Sequence, residues 1–242
     1  MSTYACSDLH GRFDLFKSIQ NFLQPEDKLY IIGDVFDRGP DGWKIYKAIK
    51  EDPRIILLMG NHEKLAARGL IDRMVHPPLG DWEYSLWVDH NGGYTTFEDI
   101  CKDYPNEKFR ELIIELNSLP YSAKYINQDG IEITMVHSGS MSVWDEDKIW
   151  DRKHLNETKW KGTDYEMIVH GHTPIELIID DWWKSGNPLL QEVKDYEVGS
   201  ALWYCDNHKV CLDTGAYWTG VIVVLDLDTF DEHIFEGVPV NG

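Results

Sequence analysis

No apolar run in this 242-residue sequence approaches the ~18 residues that a membrane-crossing helix requires; stretches such as Val221 to Leu225 stop far short. No membrane partner is therefore expected. Basic residues are scarce: 23 Lys and Arg stand against 42 Asp and Glu, for a formal charge of −19. A field of that sign repels nucleic-acid phosphates unless a local basic patch opposes it, and no Lys/Arg cluster does so. Cysteine is sparse as well. Cys6, Cys101, Cys205 and Cys211 show no C-x-x-C spacing, which argues against a zinc knuckle or a disulfide framework and for reduced thiols, although Cys205 and Cys211 flank a predicted hairpin. The opening residues carry neither a basic n-region nor an apolar h-region, so the expected location is the cytoplasm.

With 43% hydrophobic and 27% charged residues the chain is of globular composition, long enough for one domain with an insertion. The pattern alternates from the start. A short strand near Tyr4–Cys6 precedes Phe13, Phe16, Ile19 and Phe22 at helical spacing; Leu29–Ile32 reads as a strand; Trp43, Ile45, Tyr46 and Ile49 read as a helix; Ile55–Met59 is again a strand, followed by helical Leu65, Ala66 and Leu70. Such alternation predicts an α/β sheet, with ligand sites in the loops beyond the carboxyl ends of its strands. Residues from about 74 to 120 break the rhythm and predict a helical cap. Later strands are expected at Tyr121–Ile126 and Ile131–Val136, joined across the Asp129-Gly130 turn, and at Met167–Val169, Ile175–Ile179, Ala201–Cys205, Val210–Leu212 and Val221–Leu227. The polar stretch from 180 to 199 reads as a surface loop.

Polar, metal-competent residues follow the expected strand ends one after another: Ser7-Asp8-Leu9-His10-Gly11, then Gly33-Asp34-Val35-Phe36-Asp37-Arg38-Gly39, Gly60-Asn61-His62-Glu63, Val136-His137-Ser138-Gly139 and His170-Gly171-His172-Thr173-Pro174. Carboxylate, imidazole and amide donors gathered at one sheet edge suit hard to borderline divalent cations, and glycines let backbone and ligand approach closely. Each motif alone is weak; an Asp-Arg-Gly could be an ordinary turn with a surface ion pair. Their order is the signal.

Asp-x-His, Gly-Asp-x-x-Asp-Arg-Gly, Gly-Asn-His-Glu, a strand-end His and Gly-His-Thr-Pro, in that sequence, resemble the calcineurin-like metallophosphoesterases, and the Asp-Arg-Gly form is similar to the phosphoprotein phosphatase branch, the compact bacterial and phage serine/threonine phosphatases above all. Trp87 with Asn91-Gly92-Gly93 and Thr95 resembles that group's cap motif, and Ile149-Trp150-Asp151-Arg152 its Ile-Trp-x-Arg. The resemblance implies a four-layer αββα β-sandwich flanked by helices, one metallophosphoesterase domain over residues 1–242 with the cap inserted at about 74–120.

It also implies two divalent metals, Mn²⁺ by resemblance with Fe²⁺ or Zn²⁺ as alternatives. Asp8, His10 and Asp34 would hold the first, and Asp34, Asn61, His137 and His172 the second, with Asp34 bridging. Arg38 and Arg152 would fork a phosphate dianion and keep the pocket positive inside an acidic molecule, with Asn61 and His62 completing the cradle. Metal-bound hydroxide would attack. His62, oriented by Asp37, would protonate the leaving group as general acid. His170 lies two residues before His172, but the Gly-His-Thr-Pro match puts the ligand at His172; Glu63 reads as a helix cap rather than a ligand, and Trp150 as a pocket wall.

The expected activity is hydrolysis of phosphoserine and phosphothreonine esters, and of aryl phosphates, in a phosphoprotein or a small phosphate ester. The alternative is a dinucleoside polyphosphate hydrolase using the same centre. A diesterase or nuclease fits less well, because Pro174 stands where a Gly-His-x-His motif has its last histidine. A catalytically inert phosphate-binding protein would normally have lost a ligand or His62, and neither is missing.

Overall fold

The computed structural model describes residues 1–75, 82–105, 108–139 and 149–238. Three βα units open the chain: β1 (Thr3–Cys6) and α1 (Phe13–Phe22), β2 (Lys28–Ile31) and α2 (Gly42–Glu51), β3 (Ile55–Leu57) and α3 (Asn61–Val75). Helices α4 (Trp82–Val88), α5 (Tyr94–Asp103) and α6 (Phe109–Asn117) follow, then β4 (Ser122–Ile126), β5 (Glu132–Val136), β6 (Glu166–His170), α7 (Ile175–Ser185), β7 (Leu202–Tyr204), β8 (Lys209–Cys211), α8 (Ala216–Thr219), β9 (Val221–Asp226) and β10 (Glu232–Glu236). The strands form two five-stranded mixed sheets, ordered β10-β9-β1-β2-β3 and β4-β5-β6-β8-β7. β1, β2 and β3 run parallel, as do β5, β6 and β8.

The two-residue side-chain period of a strand explains the layering. In β1, Tyr4 and Cys6 face a core shared with α1, α2, α3, α5 and α6, while Ala5 faces the space between the sheets. β9 repeats this, with Ile222 and Val224 outward to the helices and Val223 and Leu225 inward. From the other sheet Ile133, Met135, Met167, Val169, Val210 and Leu212 meet them in that inner layer. Leu202, Tyr204 and Cys211 turn away from it, toward Ile175, Ile178 and Trp182 of α7. Both faces of each sheet are thus covered by apolar contacts, giving the expected four-layer αββα arrangement.

Two expectations fail. Ile175–Ile179 is the first half of helix α7, not a strand, and the stretch from 180 to 199 continues that helix to Ser185 and adds a 3₁₀ turn at Pro188–Gln191. The β-branched residues suggested a strand, yet the buried side chains of α7 are Ile175, Ile178 and Trp182, the spacing of one helical face. Gly186 closes the helix at φ 67°, a C-terminal signal that the loop reading absorbed. β10 went unread because its exposed and half-buried residues alternate weakly.

The predicted Asp129-Gly130 hairpin forms between antiparallel β4 and β5, with the Asn127 carboxamide accepting from the N–H groups of Asp129 and Ile131. In the stretch read as a cap, α4 to α6 bury Trp87, Ile100, Phe109, Leu112 and Leu116 in the same core as α1 to α3. His76-Pro77-Pro78 lies outside the described residues. Cys6, Cys205 and Cys211 are buried free thiols and Cys101 an exposed one.

Candidate metal centre and catalytic site

The carboxyl ends of β1, β2, β3, β5 and β6 deliver the polar segments to one edge of the sandwich, and hydrogen bonds between the sheets lock them together. His172 N–H donates to Asp8 Oδ2 at 3.0 Å and His137 Nδ1 donates to the Ile32 carbonyl at 2.8 Å across the sheets, while within the second sheet Gly171 N–H donates to the His137 carbonyl at 3.0 Å. Close approach here depends on glycine: a Cβ at Gly171 would stand 2.1 Å from Asp8 Oδ2, and one at Gly60 2.2 Å from Asp34 Oδ1.

The backbone is contorted where the chemistry sits. Asp8, His10, Asp34, Asp37, Arg38 and His172 all adopt positive φ, between 39° and 70°. Non-glycine residues rarely occupy this region, and such conformations persist only where surrounding structure over-determines them. Glu63 is one such determinant. Its buried carboxylate accepts from the N–H groups of Gly60, Asp34, Val35 and Phe36 at 2.8 to 3.3 Å, so it both caps α3 as expected and clamps the loop that carries Asp34. That second role was illegible in the sequence, since it depends on β2 and β3 lying side by side.

The cap motif acquires a mechanical meaning. Trp87 Nε1 donates to both oxygens of Asp37, Thr96 Oγ1 accepts from Asp37 N–H, Arg38 N–H donates to the Gly92 carbonyl, and Thr95 Oγ1 donates to the Gly39 carbonyl. The segment thus grips the Asp37-Arg38-Gly39 turn from outside.

Two groups of buried donors result. His10 Nε2, Asp34 and His62 Nε2 converge in one, with Asp8 Oδ1 at 4.0 Å from His10 Nε2 and Asp34 Oδ2 at 3.7 Å from it. Asp34, His137 and His172 converge in the other, where Asn61 Oδ1 lies 2.8 Å from His137 Nε2 and 2.7 Å from His172 Nδ1, and Asp34 Oδ1 lies 3.4 Å from His137 Nε2. Asp34 belongs to both. His10 spends Nδ1 on the Phe36 carbonyl, which turns Nε2 inward. Asp8 Oδ1, His10 Nε2 and His172 Nε2 are buried without a hydrogen-bond partner among the described residues. Stranding such atoms away from water is costly, and cations bound among them would remove that cost. The residues present therefore fit a pair of divalent metals, and all six expected ligands are brought together.

Electrostatics agree. Burial, with neighbouring positive charge, holds His10 and His172 neutral, well below the usual imidazole range, in the form a metal requires. Burial also opposes charge on His137, but Asp34 outweighs it and lifts the imidazole to about 10. Burial pushes Asp8 up to about 6, whereas the surrounding imidazoles overcome burial at Asp34 and keep it ionised.

Beside the metal groups, His62 Nδ1 lies 2.8 Å from Asp37 Oδ2, and Arg38 Nη2 lies 3.3 Å from His62 Nε2. Burial disfavours the imidazolium of His62, but Asp34 and Asp37 together raise its pKa above the ordinary value. Arg38 and Arg152 are exposed at the rim, and the Arg152 charge is felt at His172. Trp150 stands edge-on to His172 with ring centroids 5.9 Å apart, a wall as expected. His170 is no part of either group: fully buried, its Nε2 is 2.8 Å from the Tyr204 hydroxyl.

A family model described as calcineurin-like phosphoesterase matches residues 1–214 of the chain. A symmetrical bis(5'-nucleosyl)-tetraphosphatase of Buchnera aphidicola subsp. Acyrthosiphon pisum is 37% identical over 67 residues, 26% of this chain and 24% of that protein, so the chain aligns with about a quarter of that relative's length. The protein of the same name from Legionella pneumophila subsp. pneumophila is 24% identical over 218 residues, 86% of this chain and 69% of its own length. A solved protein serine/threonine phosphatase from Saccharomyces cerevisiae shares the fold, with a TM-score of 0.54 and 14% identity over 100% of this chain and 81% of that one.

Two outcomes follow from the geometry. A metal must displace the proton that His137 holds up to about pH 10, so Mn²⁺ affinity should rise about tenfold per pH unit between pH 7 and 9. Calorimetry in buffers of different ionisation enthalpy should find about one proton released at pH 7.5. Glu63→Gln exchanges an acceptor oxygen for an amide that cannot accept, and should cost about 1–3 kcal/mol for each backbone donor left unpaired, read as a lower denaturation midpoint together with weakened Mn²⁺ binding.

Proposed function

The chain belongs to the calcineurin-like phosphoesterase family, and we propose that it is a metal-dependent phosphatase that hydrolyses phosphate monoesters of serine and threonine. The observation that carries this reading is the buried His62–Asp37 pair at 2.8 Å beside the metal groups. An alkoxide leaving group needs a proton badly; the nucleotide released from an anhydride needs one far less. A histidine whose pKa two carboxylates raise against the effect of burial suits the first task.

Asp8, His10 and Asp34 would hold one cation, and Asp34, Asn61, His137 and His172 the other. When bound, two such cations acidify water into a nucleophile and neutralise phosphoryl oxygens. Arg38 and Arg152 orient the dianion, their guanidinium forks matching its geometry. His62 Nε2 passes its proton to the leaving oxygen, and Asp37 stabilises the charged imidazole and, held by Trp87 and Thr96, keeps its ring aligned. The helices from 82 to 117 act as the cap, exerting their effect through that turn.

The donor set contains oxygen and nitrogen and no thiolate, which accommodates Mn²⁺, Fe²⁺ or Zn²⁺; Mn²⁺ is our choice. No helix among the described residues is long and apolar enough to cross a membrane, and free thiols suit the cytoplasm that we assign. The names of the bacterial relatives favour a second reading, hydrolysis of a dinucleoside tetraphosphate at the same centre.

Purified protein loaded with Mn²⁺ should show a higher kcat/KM on phosphoserine peptides than on diadenosine tetraphosphate, and a preference for the dinucleotide would replace the first reading by the second. His62→Asn should lower kcat on phosphoserine peptides roughly 10²–10⁴-fold and on p-nitrophenyl phosphate much less, because nitrophenolate leaves without help. Equal losses on both would remove His62 from the acid role.

A further inference from the structure

Next to the metal centre a cleft of about 180 Å³ runs between the 3₁₀ turn at Lys153–Asn156 and helix α7. One end is marked by Arg152 and by Thr173, the neighbour of His172, so the cleft opens where the phosphoryl group would be held. Its floor is firm: Leu155, Ile178 and Trp182 are buried, and Trp182 Nε1 donates to the Leu155 carbonyl at 3.1 Å, tying the turn to the helix. Leu177, by contrast, is half exposed at 51% and offers apolar surface to whatever enters.

Asp181 follows Leu177 by four residues, so the two stand one above the other on the same face of α7, separated by about 6 Å of helix rise. The adjacent Asp180 pairs with Lys184, whereas Asp181 has no ion-pair partner among the described residues. From Arg152 outward the cleft therefore presents a guanidinium, then apolar wall, then the exposed carboxylate of Asp181, which makes no ion pair among the described residues and lies only in the field of Lys184. That sequence matches an aliphatic stem with a cationic head. The volume suffices for one such side chain.

We propose that this cleft is a specificity subsite that receives a lysine or arginine side chain flanking the phosphorylated residue of a peptide substrate, its stem on Leu177 and Leu155 and its head at Asp181. The inference rests on the phosphoserine/phosphothreonine reading and deepens it. The net charge of −19 would favour basic peptides in a diffuse way, equally for a lysine at any position. A subsite instead rewards one position.

The test walks a single lysine from the third residue before to the third after phosphoserine in an otherwise neutral peptide, and reads kcat/KM relative to that on p-nitrophenyl phosphate. At one position lysine should raise this ratio about tenfold, with norleucine giving only part of the gain. Asp181→Asn should abolish the lysine advantage at that position, and Asp181→Lys should transfer it to glutamate. An advantage equal at all positions, or one that survives Asp181→Asn, would assign the preference to the diffuse field and overturn the subsite. Hydrolysis of all peptides alike would overturn the subsite and leave the phosphatase reading standing, whereas turnover of diadenosine tetraphosphate and of no peptide would overturn both.

Discussion

Asp34 is a carboxylate buried among four imidazoles, shared by two groups of candidate metal donors and set on a residue with φ 55°. Its charge raises His137 and His62 and is itself kept ionised by them, so the electrostatic state of the centre is a mutual arrangement rather than a set of independent groups. The backbone that carries it is unfavourable alone and survives because Glu63 accepts from three successive N–H groups of its loop. Structural stability is spent here on preorganisation.

That arrangement reconciles an acidic molecule with an anionic substrate. The overall charge of −19 repels phosphate at long range, but exposed charges are screened over about a Debye length, ~8–10 Å in ordinary salt. Close to the centre the local balance would govern: with two divalent cations bound as proposed, they, Arg38 and Arg152 would stand against Asp8 and Asp34. An acidic exterior around a cationic focus suits substrates that carry one phosphate on a neutral or basic carrier.

The proposed metal ligands were legible because each is a particular side chain placed right after a strand, so the pattern leaves its mark in consecutive letters: Asp8 with His10, Asp34 after Gly33, Asn61 beside His62, and His172 after Gly171. His170 shows the limit of such reading. It is spaced as plausibly as His172, yet the strand ends at His170 itself, its ring turns to Tyr204 in the layer under α7, and His172 lies beyond the bend. Glu63 was seen as a helix cap because capping is local; its grip on the Asp34 loop was hidden because that contact crosses 29 positions. The Asn91-Gly92-Gly93 motif could be matched as a pattern, but its attachment to the Asp37–Gly39 turn appears only when both are folded.

By itself the sequence determined the alternation of strands and helices, the order of the polar loops and the identity of the six metal-competent side chains, since period and residue chemistry are local properties. It misjudged α7, where isoleucines suited either a strand or a buried helix face and only packing against Leu202, Tyr204 and Cys211 chose between them. Tertiary structure alone decided which histidines face one another, how Asp37 is held and what lies beside Arg152. Those depend on distances between segments far apart in the chain, and such distances are set when two sheets bury their inner faces against each other.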